Sequence, residues 1–414
     1  MGISCPGWVT LVTVSLEPSK PIRLLSIFGT RPEATKMAPV VRILSGDGRF
    51  QHVLVVTAQH REMLDQVMEL FQLKADFDLD IMRKRQSLSQ ITTRSLTGLD
   101  RVIEQVKPDL ILVHGDTTTT FAGALSAYYH QIPVAHVEAG LRSGDRLNPY
   151  PEELNRILTD DIADICFAPT PGAALNLKRE GITKSKIFIT GQTAVDALMS
   201  LSHSLNQRVL PPPLSKTRPF ILVEVHRREN WGEPLKQVSL ALCDVAQQFP
   251  QLDLVLSLHK NPAVRQSILP QLAGRANVHI FEPLPFLDFL LLMKHCLFVV
   301  TDSGGVQEEA PSFHKPVLVT RRVTERPEGV WHHVLKIIGT NRRRVHKEIV
   351  RLLLDQEEYG RMIQASNPFG DGRAAERIRD YLLYRFHLQV SPPKEFFPCD
   401  VKHKGRRKPD ALLD

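Results

Sequence analysis

Short apolar runs recur along the chain, each followed by a longer stretch in which apolar residues return every three or four positions. The runs IRLLSIF (22–28), HVLVVT (52–57), DLILVH (109–114), IPVAHV (132–137), DICFAP (164–169) and KIFITG (186–191) predict buried strands. Between them, stretches such as EATKMAPVVRIL, REMLDQVMELF and TTTFAGALSAYYHQ have helical period. A second series follows: FILVEV (220–225), LDLVLSL (252–258), NVHIF (277–281), LFVVT (297–301) and PVLVT (316–320). Continuous apolar runs, in place of strict alternation, mark parallel strands covered by helices on both faces. The predicted class is α/β, with two Rossmann-like doubly wound domains.

The two series are separated by NQRVLPPPLSKTRP (206–219), whose four prolines can continue neither a helix nor a central strand. It reads as a linker between a domain at 22–205 and another at 220–370. The segment 371–388 predicts a final helix, 389–414 a poorly ordered basic tail, and 1–21 an extension ahead of the first strand. Two such domains leave a cleft, lined by the loops at the carboxyl ends of the strands.

Length and composition agree: 414 residues exceed one ordinary core, and 43% hydrophobic with 23% charged residues describes a soluble globular protein. The net charge of +7 gathers in Arg342–Arg344 and in Lys402, Lys404, Arg406, Arg407 and Lys408. These read as solvated surface, and no nucleic-acid-binding pattern accompanies them. Five scattered cysteines without a C-x-x-C pair suggest neither a disulfide framework nor a zinc site. The N-terminus makes a poor signal peptide, and no apolar run is long enough for a bilayer, so no membrane contact and a cytoplasmic location are expected. The fingerprints G-x-G-x-x-G, G-x-x-x-x-G-K-[ST] and G-x-S-x-G are absent.

Polar residues concentrate where strands end. GTRPEATKMAP (29–39) offers Arg31 and Lys36 near a helix start, either an anion site or a capped helix with two cations. HGDTTTTFAG (114–123) and HVEAGLRSGDRLNPYPEELNR (136–156) bring Asp116, Glu138 and Glu152 to the same end of neighbouring strands. Such carboxylates either divide acid and base roles or pair with Arg142 and Arg156. EVHRRENWG (224–232) supplies His226 and Arg227, LHKNPAVR adds His259, and RRVTERPEGV (321–330) adds Arg326. In TDSGGVQEEAP (301–311), Ser303, Gly304 and Gly305 suit a phosphate, whereas Glu308 and Glu309 should repel one.

In this order the motifs GTRPEATKMAP, TAQHREMLDQV, HGDTTTTFAGAL, HVEAGLRSGD, PYPEELNR, HRREN, TDSGGVQEEAP and TERPEGV resemble the non-hydrolysing UDP-N-acetylglucosamine 2-epimerases from about residue 22 to residue 388. The resemblance implies a GT-B-like fold whose last helix returns to the N-terminal domain. It implies interconversion of UDP-GlcNAc and UDP-ManNAc through elimination of UDP and re-addition to 2-acetamidoglucal, with neither cofactor nor metal. It assigns Asp116, Glu138 and Glu152 to proton transfer and charge stabilisation, and His226 to the diphosphate. Arg31, Lys36, Ser303, Gly304, Gly305, Glu309 and Arg326 are assigned to the UDP-sugar. It also implies a homodimer, and an activating second UDP-GlcNAc at Gln59, Glu62, Arg85, Arg227 and His259. A hydrolysing relative that releases ManNAc, or a weakly active UDP-sugar-binding regulator, are the other readings. The chain departs from the family in Arg322–Val323 and in Trp331, His332, His333 and Val334, which put bulk where a Gly-Thr turn is usual.

Overall fold

The computed structural model describes residues 20–398, except 60, 84, 148 and 216 and the side chains of Glu62 and His203. The expected extension before residue 20 and the basic tail from 399 onward lie outside the described residues.

The first sheet contains β1 (Ile22–Phe28), β2 (Phe50–Val56), β3 (Phe77–Asp78), β4 (Leu110–His114), β5 (Val134–Val137), β6 (Ile165–Ala168) and β7 (Ile187–Ile189). Its spatial order is β3-β2-β1-β4-β5-β6-β7, and every pairing is parallel. The second contains β8 (Phe220–Glu224), β9 (Asp253–Ser257), β10 (Val278–Phe281), β11 (Val299–Thr301), β12 (Val317–Val319) and β13 (Leu335–Ile337). They lie in the order β10-β9-β8-β11-β12-β13, again all parallel. Both sheets are doubly wound, as the apolar runs predict. β4 and β5 are buried at every position, because helices cover both faces.

Topology positions the site. Chain order reverses between β1 and β4 in one sheet and between β8 and β11 in the other. At such a switch point adjacent connections leave on opposite faces and open a crevice at the carboxyl ends. Packing keeps the crevice loops close to their sheet: a Cβ on Gly29 would lie 2.0 Å from Thr57 Oγ1.

The remainder of the chain binds the halves together. Leu210 and Leu214, within the proline-rich connection, are buried in the core. The helix Ala374–Arg385 returns to the first sheet, where the Tyr381 ring meets Phe167 edge-on at 5.5 Å and Phe188 at 4.5 Å. Asp196 Oδ1 accepts the Ala375 N–H at 2.8 Å, near the start of that helix.

One expectation needs correcting, since the tail does not come loose at residue 389. The Phe396 N–H donates to the Ile189 carbonyl and Glu395 Oε1 accepts the Ile189 N–H, both at 2.9 Å. Phe396 is buried, with the Arg377 guanidinium 5.5 Å from its ring centre. Among the described residues no helix is long and apolar enough to cross a membrane.

Candidate active site

The helix Arg31–Ser45 starts immediately after β1 because Thr30 caps it, with Pro32 in its first turn. Glu33 fixes that start. Its buried carboxylate accepts the N–H groups of Gly29 and Thr30 and the hydroxyls of Thr30, Thr117 and Thr120, at 2.7–3.0 Å. Burial pushes the Glu33 carboxyl up, and these donors oppose the rise. Glu33 therefore ties the loop after β1 to the loop after β4. The motif GTRPEATKMAP held it in view, but nothing in sequence pointed to partners some 85 residues away.

One turn further along that helix, Lys36 reaches the second sheet's half. Its Nζ is hydrogen-bonded to Glu138 Oε2 and lies 3.5 Å from Glu308 Oε2. Burial alone would lower the ammonium's pKa, but Glu138 and Glu308 overcome it and hold Lys36 charged. Arg326 binds Glu308 from the other side, with Nε at 2.8 Å from Oε1. Glu308, suspected in sequence of repelling a phosphate, is thus neutralised by two cations. Burial and the neighbouring Glu308 push Glu309 up to about 7, and Lys36 and Arg31 pull against them.

Glu138 follows β5 with φ +69°, a backbone region that disfavours side chains. Burial works to raise its carboxyl, but Lys36 and then His114 bring it down to about 2. His114, the last residue of β4, places Nε2 3.8 Å from Glu138 Oε2, and burial lowers its imidazole to about 4. Asp116, two residues on, has a different environment. The surrounding protein raises its carboxyl, Arg156 opposes the rise from 2.8 Å, and Glu138 and Glu152 add to it. Glu152 opens the helix Glu152–Ile162 and is half-buried. The ion-pair alternative is therefore half right. Arg156 does pair with Asp116, while Arg142 is committed to Asp160 at 2.7 Å and Glu180 at 2.5 Å.

Across the cleft, Asp302 organises the loop after β8 by accepting the N–H groups of His226 and Arg227 at 2.9 and 3.1 Å. Glu224 lies 2.8 Å from His226 Nδ1, and although burial works to lower this imidazole, that carboxylate raises it overall. The His226 ring stacks on His259 at 5.2 Å. A Cβ on Gly304 would lie 3.3 Å from the guanidinium groups of both Arg227 and Arg326. Those two arginines and the short helix Gly304–Glu309 converge on one small volume suited to an anion. The Ser303 N–H donates to Thr301 Oγ1 at 2.9 Å.

The remaining assigned residues divide. Gln59 Oε1 accepts from Thr119 Oγ1 at 3.0 Å, beside Gly29. Arg31 is exposed at the helix start, Arg85 is exposed with φ +56°, and the Glu62 side chain lies outside the described residues. The WHHV departure forms the end of the helix Pro327–Trp331, leaving Trp331 and His333 exposed and Val334 buried.

A family model described as UDP-N-acetylglucosamine 2-epimerase matches residues 42–383. The UDP-N-acetylglucosamine 2-epimerase of Bacillus subtilis (strain 168) is 46% identical over 377 residues, covering 91% of this chain and 99% of that protein. The solved co-structure of S. aureus MnaA with UDP is 44% identical with a TM-score of 0.83, covering 91% of this chain and 100% of that one. The UDP-GlcNAc 2-epimerase from Neisseria meningitidis, solved bound to UDP-GlcNAc, is 44% identical with a TM-score of 0.81, covering 88% and 100%.

Proposed function

The chain belongs to the UDP-N-acetylglucosamine 2-epimerase family, and from that premise we propose that it interconverts UDP-GlcNAc and UDP-ManNAc without releasing the free sugar. The observation carrying this reading is the opposite tuning of two carboxylates at adjacent strand ends. Burial raises the Asp116 carboxyl against Arg156, whereas Glu138 is brought down beside Lys36. Groups whose affinities for a proton are pushed apart can divide the roles of proton carrier and fixed charge.

In the proposed route the C1–O bond breaks with its electron pair going to UDP, and the C2 proton passes to a carboxylate. The product is 2-acetamidoglucal. A C2 proton beside an acetamido group is weakly acidic, so stabilising the leaving diphosphate must carry much of the barrier. Arg227 and Arg326 at Gly304 supply fixed positive charge there, and His226, whose imidazole Glu224 raises against burial, supplies another donor. Glu138 meets the positive charge that develops at C1. Asp116, with Glu152 close enough to raise it, carries the proton. UDP and the glycal held in one cleft then recombine on the other face of C2 as an effectively intramolecular step.

Arg31, Lys36, Ser303, Gly304, Gly305 and Glu309 complete the substrate contacts in this proposal, with Glu309 taking ribose hydroxyls. An activating second UDP-GlcNAc belongs to the same proposal, because Gln59, Arg227 and His259 border the cleft. Glu62 and Arg85 would complete that site, in a homodimer. Sigmoidal dependence of rate on UDP-GlcNAc is expected from it, and a hyperbolic dependence counts against it.

The decisive measurement is NMR of the protein with UDP-GlcNAc in D2O. UDP-ManNAc carrying deuterium at C2 is the expected product. Free ManNAc in its place would exclude the non-hydrolysing route. Asp116→Asn should lower turnover about 100- to 10,000-fold, the range for a proton-transfer group, with UDP affinity unchanged. Unchanged turnover would remove Asp116 from the chemistry.

A further inference from the structure

Glu328 lies two residues after Arg326, in the short helix Pro327–Trp331 of the second sheet's half, yet its carboxylate contacts the first sheet's half. Glu328 Oε1 accepts from Thr170 Oγ1 at 2.7 Å. That hydroxyl in turn accepts the Ala173 N–H at 3.1 Å, capping the helix Pro171–Arg179 that follows β6. Gly172 lies in the first turn of the same helix, and a Cβ there would lie 2.2 Å from Glu328 Oε1. The carboxylate thus occupies the space that any other side chain at 172 would fill. It rests on the helix end where partial positive charge favours an anion.

The other side of this contact leads to the anion site. Arg326 borders Gly304 and binds Glu308, which faces Lys36. Only Pro327, with its fixed φ, separates Arg326 from Glu328. Glu328 therefore sits on the same short segment as Arg326, while its seat at Thr170 and Gly172 belongs to the other half.

We propose that Glu328, seated on Thr170 and Gly172, is a positioning residue that latches the cleft shut while UDP and the sugar fragment are separate. The idea rests on the elimination route above. An enzyme whose intermediate is two unlinked molecules must hold both until they recombine, and a latch wired to the phosphate-binding arginine holds them while the phosphate is present. Glu328 touches no reacting atom in this role. Its loss changes how the intermediate is partitioned, not how fast it forms.

The test compares wild type with Gly172→Ala, which displaces the carboxylate without altering it, and with Glu328→Gln. UDP and 2-acetamidoglucal released are measured per UDP-ManNAc formed. Gly172→Ala removes the hydrogen bond and should raise this ratio about tenfold, whereas Glu328→Gln removes only its charge and should raise it less, with C2 deuterium exchange retained in both. A ratio unchanged in both variants overturns the latch, and a destabilised fold would lower all rates together without moving the ratio. Small-angle scattering in saturating UDP reads closure independently of the chemistry. A larger radius of gyration in the variants is expected, and equality with wild type overturns the latch. Open variants with no glycal in any reaction, wild type included, would sink the elimination route while leaving the closure itself supported.

Discussion

Glu138 holds φ +69° between Lys36 and His114, and His333 holds φ +59° at the end of the helix Pro327–Trp331. The first is a side chain fixed by its charge partners, whereas the second is a turn position that favours glycine. The His333 N–H donates to the Val330 carbonyl and the Val334 N–H to that of Gly329, at 3.1 and 3.0 Å, closing a left-handed helix end. His333→Gly should therefore stabilise the protein by about 0.5–1 kcal/mol, read by urea unfolding. A loss of stability would mean that the imidazole's own contacts outweigh the backbone cost. At this scale the site is only partly legible in sequence. Lys36, Asp116, Glu138 and His226 follow strand ends, so the apolar pattern alone directs attention to them. Glu33, His114, Glu224 and Asp302 are not legible in sequence because their importance lies in partners that the fold brings together.

The helix Ala374–Arg385 shows the same dependence for a whole element. Its pattern announced a helix, but its attachment depends on Asp196, which is almost fully buried and pushed by burial up to about 6. The Ala375 and Ala374 N–H groups oppose that rise, and Asp371 adds to it. A carboxyl whose folded pKa lies above its unfolded value of about 4 favours the folded state while protonated. That contribution is complete below about pH 4 and is lost as pH rises through about 6. Asp196→Asn keeps the acceptor oxygen and removes the charge. It should raise the melting temperature at pH 7–8 and leave it unchanged near pH 4, in thermal scans across that range. An equal effect at both pH values would exclude the charge as the cause. Among strands, the long apolar runs were read to within a few residues. β3 (Phe77–Asp78) and β13 (Leu335–Ile337) are short and partly polar, so only their neighbours in the sheet reveal them.

At the scale of the whole molecule, two sheets do not make two independent units. One continuous core cluster joins Phe28 and Phe167 of the first half to Leu291 and Val299 of the second, and Tyr381 from the far end of the chain completes it. A single cooperative calorimetric transition is expected, moving upward as UDP is added. Two resolved transitions, only one of them shifted by UDP, would refute this coupling. The clamp at Ile189 has a further consequence. β7 is the outermost strand of its sheet, and such a strand presents unpaired N–H and carbonyl groups to any extended chain that drifts past. Glu395 and Phe396 occupy both polar groups of Ile189 and cover that rim with the chain's own later residues. The clamp therefore protects against self-association as well as attaching a terminus. Phe396→Ala should leave the chemistry intact and make the protein adhesive, visible as concentration-dependent light scattering at temperatures well below unfolding.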